Sequence, residues 1–553
     1  RQVREGIWIE EGAVIGADTE LRKPCIIGAD ARIGPGSVIG PYACLGNAVN
    51  IGRQCQVRDT VILNGASLGD ACRFTGNITC SSARILDNVT AMSGSILGSH
   101  CVVYENVTIQ RDTSLWPGTQ VMPGMQAGGE KIQGTFKGRA LFGRQGITGI
   151  PGQDIPPWTA SKTGSAWANL YPEGSRLIIA ADGTDPSRII SRAMASGAAA
   201  AGAEILEAED TALPELRKCI SFLGCAGGIH VRWQGPEDNF CRIVFLNQNG
   251  LDVTRQEERK IENTAGRGDF RMVPPEEMGM IRAFHEISST YRRLLSGTVS
   301  EIPPGTSIAL ALRSSADRFV SEALREAGVN VIEAPQLEKH GCLHFGSMLG
   351  AVVNTQKDDF FLVDSKGRAA SGDLHLAISA LITAMAGEGK EIRIPVTSST
   401  GLEMVLKKFG ARVTRTRTSM NEWMQGMDPV QFDLCFDPPA GILRAVSLLH
   451  KRKMEIDALF ELLPAACRTF SEYPCPWEMK GSVMRRLMEE NREEVVEARE
   501  GVKLKKGAGW ALILPDAEKP VFRILTEAAT LEAAEEIAAD SRRMLLSLLP
   551  EKL

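Results

Sequence analysis

The sequence predicts a multidomain protein in which a parallel β-helix is followed by three α/β modules and one α+β module. Three observations lead to this fold class. First, an aliphatic residue returns at every sixth position from Ile9 to Val57. Second, a strand–helix–strand pattern occurs three times after residue 139. Third, the C-terminal segment mixes helix and strand signals without repeating that pattern. At 553 residues the chain is too long for one hydrophobic core, so several domains are expected.

The six-residue repeat dominates residues 1–127. A glycine directly follows six of the nine aliphatic positions, which are Ile9, Ile15, Leu21, Ile27, Ile33, Ile39, Leu45, Ile51 and Val57. A period of six fits neither an α-helix nor a hairpin strand, but it fits a coil of short strands with a turn after each. One aliphatic side chain per rung should point inward, and stacked rungs should bury the row. We expect this unit to be the site of homo-oligomerisation.

The remainder of the chain is predicted as a linker and four modules. Buried strands alternate with helices in the first three, and Gly328 and Gly410 stand between a helix and the next strand, where a left-handed helix cap is expected. The assigned ranges are 128–138 for the linker, 139–298, 299–371 (shortened) and 372–464 for the α/β modules, and 465–553 for the α+β module.

Composition excludes several function classes. The net charge of −5 and the lack of a Lys/Arg run with interleaved aromatics argue against nucleic acid as a partner. No apolar stretch reaches the length of a membrane span, so no membrane partner is expected. Thirteen cysteines occur without a C-x-x-C pair, which disfavours zinc and indicates thiols in the cytoplasm.

The repeats resemble hexapeptide-repeat proteins, whose coils form a left-handed parallel β-helix. This class includes acyltransferases and nucleotide-sugar pyrophosphorylases, in which the helix follows a nucleotidyltransferase domain. The opening passage REGIWIEEGAVIGADTELRKPCIIGADARIG is similar to the entry into a pyrophosphorylase β-helix. If the protein were an acyltransferase, His100 would be its catalytic base, because it is the sole histidine before residue 230.

Residues 139–553 resemble the phosphohexomutases, the phosphomannomutase and phosphoglucomutase family. Four passages match in order: LFGRQGITG to the opening motif, LGCAGGIHVRWQGPEDNFCRIVFLNQNGLD to the nucleophile region, NTQKDDFFLVDSKGRAASGD to the metal loop, and LPDAEKPVFRILTEA to the final phosphate loop. The resemblance implies a serine that carries a phosphoryl group and three carboxylates that bind Mg²⁺.

The nucleophile loop departs from this pattern. Arg232, Trp233 and Gln234 occupy it, and no Ser or Thr lies between Ser221 and Thr254. A transferred phosphoryl group needs an oxygen or nitrogen atom of the protein to which it can be covalently bound. His230 could carry it, but we interpret His230 as a structural residue of its strand. We therefore expect no catalytic residue in this loop.

The other two loops also depart. Asn354, Gln356 and Asp358 align with the three metal carboxylates, and two of them are amides, so no metal site is expected. In the phosphate loop, the carboxylates of Asp516 and Glu518 oppose the binding of an anion. Lys519 and Arg523 are the remaining cations and would form a residual anion site.

The resemblances together favour a non-catalytic scaffold, oligomerisation or ligand-sensing region of a sugar-1-phosphate nucleotidyltransferase similar to mannose-1-phosphate guanylyltransferases. Its transferase domain, with Mg²⁺, is expected upstream of Arg1, and a sugar phosphate or nucleotide sugar is a possible ligand. Two alternatives remain open at this point. They are an active phosphomannomutase or phosphoglucomutase with an atypical site, and a hexapeptide acyltransferase.

Overall fold

A computed structural model describes residues 2–128, 131–132, 135–136, 141–143, 145–298, 302–355, 359–464, 467–475, 477–516 and 519–549. The N-terminal part is a parallel β-helix of three sheets, in which each strand pairs with the strands one turn before and after it. The first sheet contains Ile7–Ile9, Cys25–Ile27, Ala43–Leu45, Thr60–Ile62, Ile78–Thr79, Ile96–Leu97, Ser114–Leu115 and Lys131–Ile132, with Gln2–Arg4 antiparallel at its end.

The other two sheets complete each turn of the helix. The second contains Val14–Ile15, Arg32–Ile33, Asn50–Ile51, Ser67–Leu68, Arg84–Ile85, Val102–Val103, Gln120–Val121 and Thr135–Phe136. The third contains Glu20–Leu21, Val38–Ile39, Gln56–Arg58, Arg73–Thr75, Thr90–Ala91, Thr108–Ile109 and Gln126–Ala127. Two strands therefore lie inside the segment expected as a linker.

The six-residue period is explained by what each rung buries. The predicted inward row is buried from Ile27 to Val57, whereas Ile9, Ile15 and Leu21 near the open end are only partly buried. Glycine follows the inward residue because the backbone of the next full turn of the β-helix passes close to this position. A Cβ on Gly34 would lie 2.6 Å from the Gly52 carbonyl carbon. The prediction of a β-helix with an inward aliphatic row is confirmed.

The first module has a mixed sheet in the order Ile147–Gly149, Cys241–Asn247, Gly227–Trp233, Arg176–Ala181, Glu204–Ala208, Ile281–Ala283. Cys241–Asn247 runs antiparallel to both of its neighbours, and the remaining pairs are parallel. Its helices are Pro157–Ala168, Asp185–Ala200, Leu213–Phe222, Gly235–Asp238, Arg255–Arg267 and Ile287–Ser296, with a 3₁₀ turn at Pro275–Glu277.

The second module has the strand order Asn330–Glu333, Ser307–Leu312, Leu349–Asn354, Asp359–Val363, with helices Arg318–Glu326 and Leu337–His340 and 3₁₀ turns at Ser315–Asp317 and Cys342–Phe345. The third pairs Glu391–Pro395 with Arg412–Thr416 and adds helices Asp373–Met385, Thr400–Lys408, Met420–Met424, Pro429–Phe436, Pro438–Arg452 and Ile456–Glu461. The third module is thus mainly helical in its described residues.

The fourth module is an antiparallel sheet with two helices. Its strand order is Cys467–Pro474, Val521–Ala528, Gly509–Pro515, Val502–Lys506, Val495–Glu497, and its helices are Trp477–Glu490 and Leu531–Ser547. The multidomain fold class is confirmed at this level, as a β-helix followed by α/β units. The module boundaries stay predictions. No helix in the described part of the chain is long and apolar enough to cross a membrane.

The first three modules share one hydrophobic core, and buried polar contacts join them. The Tyr291 hydroxyl donates to the Asp437 carboxylate at 2.6 Å, and the Lys218 ammonium lies 2.7 Å from an Asp433 carboxylate oxygen. Burial raises the pKa of Asp437 to about 6. The fourth module docks through Glu527, which accepts one hydrogen bond from the Ser399 hydroxyl and one from the Thr400 amide of the third module. These contacts fix how the modules' loops face one another.

His375 gives the core a predictable response to acid. Burial lowers the pKa of its imidazole to about 4, against about 6.5 in an unfolded chain. The unfolded state therefore takes up a proton at a pH where the folded state does not, so the free energy of unfolding should fall between pH 6.5 and 4. We expect His375→Phe to flatten this acid limb by about 2 kcal/mol in denaturant titrations at both pH values. The matched control is His100→Phe, the same substitution at an exposed turn residue.

Candidate functional site

The residues predicted for the nucleophile loop lie at the end of a central strand. Gly227–Trp233 carries Arg232 and Trp233, and Gln234 follows it. The Trp233 amide donates to the Asp182 carboxylate at 2.8 Å, which fixes the strand end against its neighbour. In α/β sheets, ligands bind outside the carboxyl ends of parallel strands. The loop is therefore in the position where a binding site is expected.

The loop predicted to correspond to the metal loop comes to the same place. Leu349–Asn354 ends there with Asn354, and Thr355 follows. The Arg232 guanidinium, buried to 3% exposure, donates to the Thr355 carbonyl oxygen at 2.5 Å. Gln356 and Asp358 lie outside the described residues. The structure thus brings together Arg232 and Asn354–Thr355, from two modules and from positions far apart in the sequence.

Sequence reasoning missed one residue of this cluster. Asp317, fully buried, accepts hydrogen bonds from the Thr355 amide at 2.8 Å and from the Thr355 hydroxyl, and from the Ser314 amide at 2.8 Å. Burial raises the pKa of the Asp317 carboxyl. A hydroxyl that donates to a buried carboxylate has the arrangement of a nucleophile and its base. The signal in the sequence was a carboxylate just after the strand Ser307–Leu312.

His230 lies inside the sheet, on the strand that carries Arg232. It is 1% exposed, and its Nε2 is 2.8 Å from the Thr211 carbonyl oxygen. A carbonyl oxygen only accepts, so Nε2 carries the hydrogen and donates. This contact matches the interpretation of His230 as a structural residue.

In the loop that corresponds to the final phosphate loop, a carboxylate of the loop itself pairs with the predicted anion-binding arginine. Arg523 pairs with the Asp516 carboxylate at 2.7 Å and with the Glu472 carboxylate at 3.0 Å. Lys519 lies 3.7 Å from Glu472 and is mostly exposed, and Glu518 is outside the described residues. The buried Lys480 donates to the Asp516 carbonyl oxygen at 2.6 Å. The residual anion site at Lys519 and Arg523 stays a prediction.

Comparisons with known proteins divide the chain at the same place as the fold. Residues 21–124 match the family described as "GMPPB C-terminal domain", and residues 139–272 match "Phosphoglucomutase/phosphomannomutase, alpha/beta/alpha domain I". The chain is thus similar to the GMPPB C-terminal domain in its β-helix and to phosphohexomutases in the module that follows.

Individual relatives extend the likeness over about three quarters of the chain. A "probable phosphoglucosamine mutase" from Methanopyrus kandleri is 24% identical over 72% of this chain and 95% of its own length. One from Thermococcus kodakarensis is 23% identical over 74% of this chain and 99% of its own length. The crystal structure of a phosphoglucomutase/phosphomannomutase family protein from Burkholderia thailandensis covers 75% of this chain and 98% of its own, with a TM-score of 0.62 and 15% identity, and shows the shared fold.

These findings correct three expectations. The interpretation as a non-catalytic region of a nucleotidyltransferase is wrong, because the full-length relatives are mutases. The description as a nucleotidyltransferase and as a mutase fold without catalysis is wrong for the same reason. The expectation of no metal is also wrong, because the mutase resemblance implies Mg²⁺. An upstream transferase domain stays a prediction.

The described residues nevertheless do not complete a Mg²⁺ site. No group of three or more His, Cys, Asp or Glu side chains in the described part of the chain could hold a metal ion. Around the loop, Asn354 and Thr355 offer neutral oxygens, and the Arg232 guanidinium adds a positive charge that opposes a dication.

Proposed function

We propose that residues 139–553 act as a phosphohexomutase that moves a phosphoryl group between two positions of a hexosamine phosphate. The observation that carries the proposal is the match to relatives named phosphoglucosamine mutases over 95% and 99% of their own lengths. Such coverage takes in nearly the whole of each relative. The substrate class is taken from the names of these relatives.

The site would lie where the first two modules meet, at Arg232 and Thr355. Strand ends from both modules converge there, and the guanidinium of Arg232 holds the Thr355 backbone at a fixed distance. A charge-assisted contact of this kind stiffens two loops that must keep one geometry during phosphoryl transfer. Arg232 is thus a positioning residue in this proposal.

Thr355 is the hydroxyl that this arrangement offers as phosphoryl carrier. Its hydroxyl donates to the buried Asp317, whereas Gln234 replaces the serine of the aligned loop. In the first half-reaction the Thr355 oxygen would attack a phosphorus of the hexosamine 1,6-bisphosphate, and the bond from that phosphorus to the sugar oxygen would break. The Thr355 proton would pass to Asp317 and from there to the departing sugar oxygen. In the second half-reaction the free hydroxyl of a monophosphate would attack the phosphorus on Thr355, the bond from phosphorus to the Thr355 oxygen would break, and the proton would return through Asp317 to Thr355, which restores the bisphosphate.

We expect the chain to convert glucosamine 6-phosphate to glucosamine 1-phosphate in a coupled assay with a trace of the 1,6-bisphosphate. Mannose and glucose 6-phosphates serve as substrate controls. Parallel reactions in excess Mg²⁺ and in EDTA measure the metal requirement. If none of the three sugar phosphates is converted, either in excess Mg²⁺ or in EDTA, the proposal is contradicted.

A further inference from the structure

One outer face of the β-helix is apolar along its length. We name face A the outward side of its first sheet. Its outward positions are in register on seven successive strands: Trp8, Ile26, Cys44, Val61, Ile78, Ile96 and Ser114. The five large apolar members are 37–45% exposed in the whole chain. The described parts of the four modules therefore leave this row open to water.

The equivalent rows on the other two faces are different. The second sheet presents Val14, Arg32, Asn50, Ser67, Arg84, Val102 and Gln120. The third presents Glu20, Val38, Gln56, Arg73, Thr90, Thr108 and Gln126. Both rows contain arginine and amide side chains, whereas the face A row has no charged member. The repeat itself does not require this difference, because all three sheets bury equivalent inward rows.

Corner residues widen the apolar surface. Tyr42 comes just before a strand of the first sheet, Leu63 and Trp116 come just after such strands, and all three are exposed. With the five row members they expose on the order of 700 Å² per molecule, close to the ~800 Å² that each partner buries in a standard interface. An uncovered apolar patch of this size is unusual on a monomer.

We propose that face A is the interface of a two-fold dimer of this chain. The rungs are parallel and in register, so the row is straight, with a spacing of about 4.8 Å. A straight, evenly spaced row matches a copy of itself turned by a two-fold axis, and Val61, the fourth of its seven members, would lie near that axis. Such an isologous contact closes after two subunits and does not grow into fibres.

The test compares the full chain with two sets of surface variants. Analytical ultracentrifugation should give a dimer for the wild type and a monomer for Ile78→Glu/Ile96→Glu, because four charges would be buried without partners in the dimer. The matched control is Val102→Glu, which places a charge at the equivalent outward position of the second sheet and should stay dimeric. Both variants should keep the wild-type circular dichroism, since the side chains point out of the core.

Three outcomes overturn the proposal. One is a wild-type chain that does not self-associate at micromolar concentration. This outcome includes a chain that is free in solution and a chain that binds a different protein through face A. Another is an assembly that survives Ile78→Glu/Ile96→Glu. The third is an assembly that Val102→Glu disrupts equally, which would show that the contact does not depend on face A.

Discussion

Thr355→Val is expected to lower the turnover of glucosamine phosphate by about 10²-fold or more, because valine keeps the shape of the side chain and removes the attacking oxygen. The Thr355 hydroxyl donates to Asp317, so its loss also leaves a buried carboxylate with one partner fewer. Steady-state kinetics on the wild type and the variant measure the effect. A wild-type kcat in Thr355→Val would refute the assignment of the phosphoryl carrier.

Two controls separate a catalytic role from a structural one. Thr355→Ser restores a hydroxyl and should recover turnover, whereas Ser314→Ala removes a neighbouring hydroxyl and should leave turnover unchanged. Ser314 touches Asp317 through its backbone amide, which alanine retains. Mass spectrometry after incubation with the bisphosphate should find a gain of about 80 Da on the peptide with Thr355. The same gain on another residue contradicts the assignment.

Ile39→Asp is expected to destabilise the β-helix by about 4–5 kcal/mol, because it places a charge in the inward aliphatic row. Ile39 is fully buried among the other inward residues. Its neighbour Val38 lies on the same strand and points outward, so Val38→Asp should cost no more than about 1 kcal/mol.

Chemical denaturation followed by circular dichroism measures both values. The two variants introduce the same charge one residue apart, so the difference between them reports only the side of the strand. Equal losses of stability in the two variants would contradict the assignment of the inward row.

The β-helix could be predicted because each six-residue repeat by itself determines which of its side chains enters the core. Each rung repeats the same requirement, so Ile27, Ile33 and Ile39 could be placed inward from spacing alone. The end of the solenoid was harder to place. Strands Lys131–Ile132 and Thr135–Phe136 pair with earlier rungs although proline and glycine interrupt the repeat before them.

The candidate site was only half predictable. The strand end at Arg232 and the loop at Asn354 could be found from local patterns. Their meeting could not, because the contact from Arg232 to Thr355 spans 123 positions and depends on how two modules pack. Asp317 was missed because a single carboxylate after a strand is common. Its role depends on four hydrogen bonds that only the folded loops create.

The function could not be predicted from single motif residues, because the loss of one such residue does not outweigh the continuity of the whole region. Gln234 in place of a serine removes one nucleophile, but it does not exclude a hydroxyl supplied from another module. The likeness over nearly the full length of the mutases tests the region as a unit. Evidence of this kind is independent of which residue carries the phosphoryl group.

The most direct test of the proposed activity is ³¹P NMR of the wild-type chain mixed with glucosamine 6-phosphate and a trace of its 1,6-bisphosphate. The two phosphate positions give separate signals, so no coupling enzyme is needed. The account predicts that a glucosamine 1-phosphate signal grows to a constant ratio, and that the same ratio is reached from glucosamine 1-phosphate. A spectrum that keeps only the starting signal from either direction would contradict it.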